Sequence, residues 1–183
     1  MIADKREAIK RKLLSYKPFD TQEELYKQQI LSFINQYLDC FERTQQAGHI
    51  TGSAWLINKT GDKALLMHHA KLGLWVQPGG HCDGDPDVLG VALREAQEES
   101  GIFAIEPVFQ DIFDLDVHRI PASKKESEHY HYDIRFLLRV TTDDSYIKND
   151  ESHELRWISK NKSDLPTNER SVVRMFEKWC ALP

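Results

Sequence analysis

The chain has 183 residues, 40% of them hydrophobic and 29% charged, which is the composition of a soluble globular protein with enough apolar surface to bury one core. A net charge of −5, from 24 basic and 29 acidic side chains, excludes a broad phosphate-contacting face of the kind that binds a nucleic acid polymer. No apolar run reaches membrane-spanning or signal-peptide length, and Cys40, Cys82 and Cys180 are too few and too scattered for a disulfide framework, so no membrane partner and a cytoplasmic location are expected.

The first 44 residues read as α-helical. A short helix is expected at about 3–15, with Lys5, Arg6, Lys10, Arg11 and Lys12 as its solvated side. After Pro18, Tyr26, Ile30, Phe33, Ile34, Tyr37 and Phe41 recur at helical spacing from Thr21 to about Arg43, with a capping box in Thr21-Gln22-Glu23-Glu24. This stretch is an extension (1–44) that packs on the following domain (45–183) or on a second copy of the chain.

Past Gly48 the pattern becomes β-like. Ile50–Ile57 and Ala64–His69 flank the turn signal Asn58-Lys59-Thr60-Gly61-Asp62 and should form a hairpin, and Leu72–Val76 leads into a Gly79-Gly80 loop. Two longer strands are expected at Val108–Val117 and Tyr130–Val140, joined by the polar loop 121–128. A short strand at Glu154–Ile158 and a helix at about 167–179 complete the chain.

Between these strands, from about Asp87 to Ser100, lies the most informative segment. Glu95, Glu98 and Glu99 fall within about 100° of arc on a helix, while Leu89, Leu93 and Ala96 give the opposite side something to bury and Gly101 a left-handed stop. Like charges at these spacings call for a counter-charge, which Arg94 supplies in part and a hard divalent cation with oxygen ligands supplies more fully. The preceding Trp75-Val76-Gln77-Pro78-Gly79-Gly80-His81 lets the backbone come close to a ligand and offers the Gly79 carbonyl as a metal ligand. Asp83, Asp85 and Asp87 open like a calcium-binding loop, but Val88 and Arg94 stand where such a loop requires Gly and Glu.

Residues 80–102, GHCDGDPDVLGVALREAQEESGI, resemble the signature box of the Nudix hydrolases, G-x5-E-x7-R-E-U-x-E-E-x-G-U, with Arg94, Glu95, Glu98, Glu99, Gly101 and Ile102 on its positions. Two residues depart from it: Pro86 replaces the first glutamate, with Asp85 and Asp87 on either side, and Ala96 replaces a bulky residue. The resemblance implies an α/β fold, a Nudix-type α/β/α sandwich with a mixed β-sheet, here behind an N-terminal α-helical extension. It implies an Mg²⁺-dependent diphosphohydrolase, with Mn²⁺ as the substitute ion, that cleaves the diphosphate bond of a nucleoside diphosphate linked to another moiety. Glu95, Glu98, Glu99 and Gly79 would hold the metal, Arg94 would orient Glu95, and the general base would be Glu95, Glu154 or Glu151. The partner is then a small-molecule diphosphate, with homodimerisation expected from the family's habits.

The alternative reading is a non-catalytic Nudix nucleotide sensor, and a diphosphate isomerase using Cys82 is a more distant one. Two further groups are open. His129, His131, Asp133 and Arg135 alternate along one strand face and either line a cleft or meet water, with a zinc site from the two histidines plus His81 or Cys82 as the rarer reading. Trp55, Trp75, Tyr130 and Tyr132 either stack on a base or belong to the core.

Overall fold

The computed structural model describes residues 4–123, 127–150 and 152–182. In chain order the elements are α1 (Glu7–Ser15), α2 (Thr21–Gln36), β1 (Gly48–Ile57), β2 (Lys63–His69), β3 (Trp75–Val76), β4 (Gly79–His81), α3 (Val88–Ser100), β5 (Ile105–Pro107), β6 (Asp114–Ile120), β7 (His129–Val140), β8 (Ser152–Ser159) and α4 (Arg170–Cys180). They build one mixed eight-stranded sheet between helices, the α/β arrangement expected.

The sheet is organised by a parallel pair. β1 and β7 run in register from Gly48 opposite Tyr130 to Ile57 opposite Arg139. The expected hairpin survives only at its turn, where Ile57 faces Ala64; the strands then diverge, and β2 pairs with β3 on one side and β8 on the other. The Gly-Gly segment, read as a loop, is itself strand β4 and pairs antiparallel with β1, Ser53 opposite Gly79 and Thr51 opposite His81.

Ile50, Ala54 and Leu56 of β1 join Ile134, Phe136 and Leu138 of β7 in a core closed by α1, α2 and α3. Trp55, Ile57 and Leu137 point the other way, into a second core with Phe176 and Trp179 of α4. Trp55 is fully buried there, so it is a packing residue and not a base-stacking one. Gly52 is required between the layers, because a Cβ at this position would lie 2.7 Å from the Val88 carbonyl of α3.

Three further features differ from the sequence reading. α2 ends at Gln36, not near Arg43, because the Arg6 guanidinium donates to the carbonyl of Ile34 at 2.8 Å and the chain turns extended at Tyr37. Its cap is also one residue earlier: Asp20 accepts from the Glu23 amide at 2.8 Å. The expected strand 108–117 is replaced by β5 and β6, which both pair with β7 but at different ends, leaving Val108–Phe113 as a crossing loop.

The third difference concerns the alternating polar face of β7. Asp133 and Arg135 neither line a cleft nor meet water; each is 2% exposed. The Arg135 guanidinium donates to Asp133 at 2.7 Å and to Asp114 at 3.1 Å, while Arg174 of α4 donates to the two oxygens of Asp114 at 2.8 and 2.9 Å. Lys178 reaches both Asp114 (2.9 Å) and Glu23 of α2 (2.6 Å). Glu23, fully buried, also accepts from the backbone amides of Phe19 (2.5 Å) and Leu115 (3.0 Å). This charged knot ties α2, β6, β7 and α4 together. Its ions repay their desolvation only because they hydrogen-bond one another in nearly every direction.

Candidate active site

α3 begins where Asp87 accepts a hydrogen bond from the Gly90 amide (3.1 Å), and it ends at Gly101, whose φ of 70° is left-handed as expected. Leu89, Val91, Ala92 and Ala96 are buried; Val91 and Ala92 lie one turn before Glu95 and on its side of the helix, whereas Leu93, expected on the buried side, is only half-buried. Glu99 is only 5% exposed, Glu95 is half-buried and Glu98 is exposed.

The helix is keyed to β4 by carboxylates. The Gly79 amide donates to Glu99 Oε2 at 2.9 Å. One residue on, Gly80 faces Glu95 so closely that a Cβ would lie 2.5 Å from the carboxylate carbon. Gly79 is equally constrained on the opposite side, where a Cβ would sit 2.1 Å from the Ser53 hydroxyl. The two glycines thus let β4 slide between β1 and the acidic helix. Gly79, Glu95 and Glu99 are brought together, with the Gly79 amide and not its carbonyl meeting Glu99.

Arg94 is partnered by Asp85, 3.6 Å away, and both are more than a third exposed. Asp87 is spent on the helix cap. Of the two aspartates flanking Pro86, it is therefore Asp85 that supplies the arginine with a carboxylate. Glu154 is on β8, opposite His68 of β2, with its carboxylate accepting from Arg156 at 2.8 and 3.0 Å. The same Arg156 guanidinium sits 4.7 Å above the Trp75 ring. Glu151 lies outside the described residues. The loop before β8 does reach α3, through the Ile147 amide on the Ser100 carbonyl (2.8 Å).

Three carboxylates and a backbone carbonyl are hard oxygen donors, the set that Mg²⁺ takes together with waters and phosphate oxygens. The residues fit that ion in donor chemistry, and Glu95 and Glu99 flank the glycine pair from one helix. Among the described residues, however, the group of His, Cys, Asp or Glu side chains whose ligand atoms already converge, to within 4.8 Å, is His49, His129 and His131. His49 was not singled out in the sequence; it became visible only once β1 was paired with β7.

Burial pushes His49 down to about 4, aided by the nearby His81 and His129. It likewise pushes His131 down to about 2, with His49 and His118 adding to the effect. Cys82 is 1% exposed and its thiol is raised by burial, then by Asp85 and Asp133. A thiol so placed is not a nucleophile, which removes the isomerase reading.

The profile of the NUDIX domain matches residues 49–180. The chain is 28% identical over 107 residues to the uncharacterized Nudix hydrolase YvcI of Bacillus subtilis, covering 56% of this chain and 62% of that protein. It is 32% identical over 81 residues to a probable DHNTP pyrophosphohydrolase of Lactococcus lactis, covering 43% and 48%. The chain thus spans about half to two thirds of the length of these curated relatives. A bis(5'-nucleosyl)-tetraphosphatase of Rattus norvegicus is 28% identical over 107 residues, covering 58% of this chain and 69% of that one.

Among solved structures, a C. elegans Ap4A hydrolase superposes with a TM-score of 0.56 at 18% identity, covering 72% of this chain and 95% of that one. A NUDIX-family hydrolase from Clostridium perfringens gives 0.52 at 24%, covering 72% and 95%. With the box helix, the glycine pair beneath it and the mixed sheet in place, the chain belongs to the Nudix family.

Proposed function

We propose that the chain is an Mg²⁺-dependent diphosphohydrolase that cleaves the diphosphate bond of a nucleoside diphosphate linked to another moiety. The observation that carries this reading is the pairing of Glu99 with the Gly79 amide and of Glu95 with Gly80, which holds two box carboxylates against strand β4.

When bound, Mg²⁺ would neutralise diphosphate oxygens and acidify a bound water. The chain's own residues do the rest. Glu95, Glu98 and Glu99, with the Gly79 carbonyl, would hold the ion. Arg94, neutralised by Asp85, sets the charge balance beside Glu95. Glu95 is our first candidate for the base, since Glu154 is engaged by Arg156. The names of the relatives make dinucleoside tetraphosphates and a pterin triphosphate the first substrates to try, beside ADP-ribose and sugar nucleotides.

The test is product analysis on that panel, with a phosphatase coupled in, in Mg²⁺ and in excess chelator. We expect one substrate class to be cleaved in Mg²⁺ and none in chelator. Cleavage unaffected by chelator would overturn the metal-dependent reading, and metal-dependent binding without turnover on every member would favour a sensor.

A further inference from the structure

The parallel pairing of β1 with β7 puts His49 directly opposite His131, and His129 lies two residues earlier on the same face. Their rings pack with centroids 4.7 to 5.2 Å apart. His49 is 3% exposed, yet neither of its ring nitrogens has a hydrogen-bond partner. A buried polar group without a partner is uncommon and needs an explanation, of which a bound ion is one.

His129 has its tautomer set by the backbone. Nδ1 lies 2.8 Å from the Ser127 carbonyl, to which it can only donate, so the lone pair is on Nε2. That nitrogen is 3.3 Å from His131 Nε2. Two imidazole nitrogens bound at about 2.0–2.1 Å to a tetrahedral ion stand about 3.3–3.4 Å apart, so the pair already has the spacing of two ligands. A histidine anchored through one nitrogen on a carbonyl while the other binds is also the usual arrangement around a metal.

We infer that His49, His129 and His131 form a transition-metal site of the Zn²⁺ class at the open end of the β1–β7 pair, with a fourth position left for water. The all-nitrogen set discriminates against Mg²⁺, which takes oxygen ligands. The site is separate in donor chemistry from the carboxylates of α3. Two more rings flank it: His81 of β4, 4.9 Å from His49, and His118, 5.3 Å from His131, whose Nδ1 is hydrogen-bonded to Asp116 at 3.0 Å. A bound ion would clamp the start of β7 to β1 just after the 121–128 connection.

The test uses the full chain stripped with chelator, titrated with Zn²⁺ against a chromogenic competitor in excess Mg²⁺, and separately with Co²⁺ to read its d–d absorption. One equivalent of Zn²⁺ should bind, with a Co²⁺ spectrum of low coordination number. Affinity should fall about 100-fold or more in His131→Gln and His129→Gln and be retained in Glu99→Gln. Circular dichroism checks the fold of each variant, and if His131→Gln does not fold, His129→Gln at the strand's start carries the comparison. Absence of stoichiometric binding in excess Mg²⁺ would overturn the proposal, leaving the 3.3 Å contact as a histidine–histidine hydrogen bond. Binding that survives both histidine variants, or is lost only in Glu99→Gln, would overturn it equally.

Discussion

Gly79 and Gly80 are adjacent and chemically identical, yet substituting them should do different things. A methyl at Gly79 meets the Ser53 hydroxyl at 2.1 Å and its Cα at 2.9 Å, so backbone must move. A methyl at Gly80 meets first the carboxylate end of Glu95, which can swing away. Gly80→Ala should therefore leave the melting temperature nearly unchanged while lowering Mg²⁺-dependent turnover at least about tenfold, by displacing a metal ligand. Gly79→Ala should destabilise by about 1–3 kcal/mol. Thermal melts of the two variants beside their turnover check the contrast; equal melting temperatures would contradict it.

The Arg94–Asp85 pair is exposed, and such pairs contribute about 0–1 kcal/mol. Asp85→Asn should accordingly leave chemical denaturation unchanged within about 1 kcal/mol. The carboxylate helix was legible from spacing alone, because a box motif fixes residue types at fixed intervals on one helix. His49 was not legible: its neighbours lie about eighty residues away, and nothing in GHITGSAWLI marks it as a ligand.

Among the elements, α4 carries the largest surprise. The alternation His129, His131, Asp133, Arg135 has the period of a solvated strand face, and the sequence offers no sign that a terminal helix will cover it. What covers it also balances it: Arg174 and Lys178 from α4, and Glu23 from α2, complete the charges of Asp114, Asp116, Asp133 and Arg135. Breaking a buried pair by removing one partner leaves an uncompensated charge, so Arg174→Met should cost about 3–5 kcal/mol in urea unfolding. A loss below 1 kcal/mol would show that the knot is not holding α4.

The same knot predicts an acid limb. Burial alone would raise Asp116, but Arg135 beside it, the hydrogen bond with His118 and Arg174 together hold it down at about 2, below its ordinary 3.8. A carboxylate with a lowered folded-state pKa stabilises fully above its unfolded value. That stability is lost as the pH falls from about 3.8 through about 2. Asp116→Asn should flatten the loss of stability with falling pH in that window, as read by unfolding midpoints across pH 2–5.

On the scale of the whole molecule, the family match begins at residue 49, whereas the core begins much earlier. Leu13, Ile30 and Ile34 are fully buried in the same cluster as Ile134 and Phe136, and Glu23 partners Lys178. The two helices of this extension, Glu7–Ser15 and Thr21–Gln36, were plain from periodicity. Their role was not, since an amphipathic helix looks the same whether it covers its own sheet or another chain. Removing residues 1–44 should expose that apolar face, leaving a chain that loses cooperative unfolding; a truncated chain with a native-like melt would show that the extension is dispensable for the fold.

No helix among the described residues is long and apolar enough to cross a membrane, and Glu95 and Glu99 of α3 are held against the Gly79-Gly80 pair of β4. The central claim is that α3 holds the ion on which hydrolysis depends. The most direct test is turnover of the best panel substrate at saturating Mg²⁺ by the wild type and by Glu99→Gln, both shown to be folded. A fall of more than about 100-fold is expected, since even residues that only support a metal ligand are worth about 10–100-fold. Turnover in Glu99→Gln within a few-fold of wild type would contradict it.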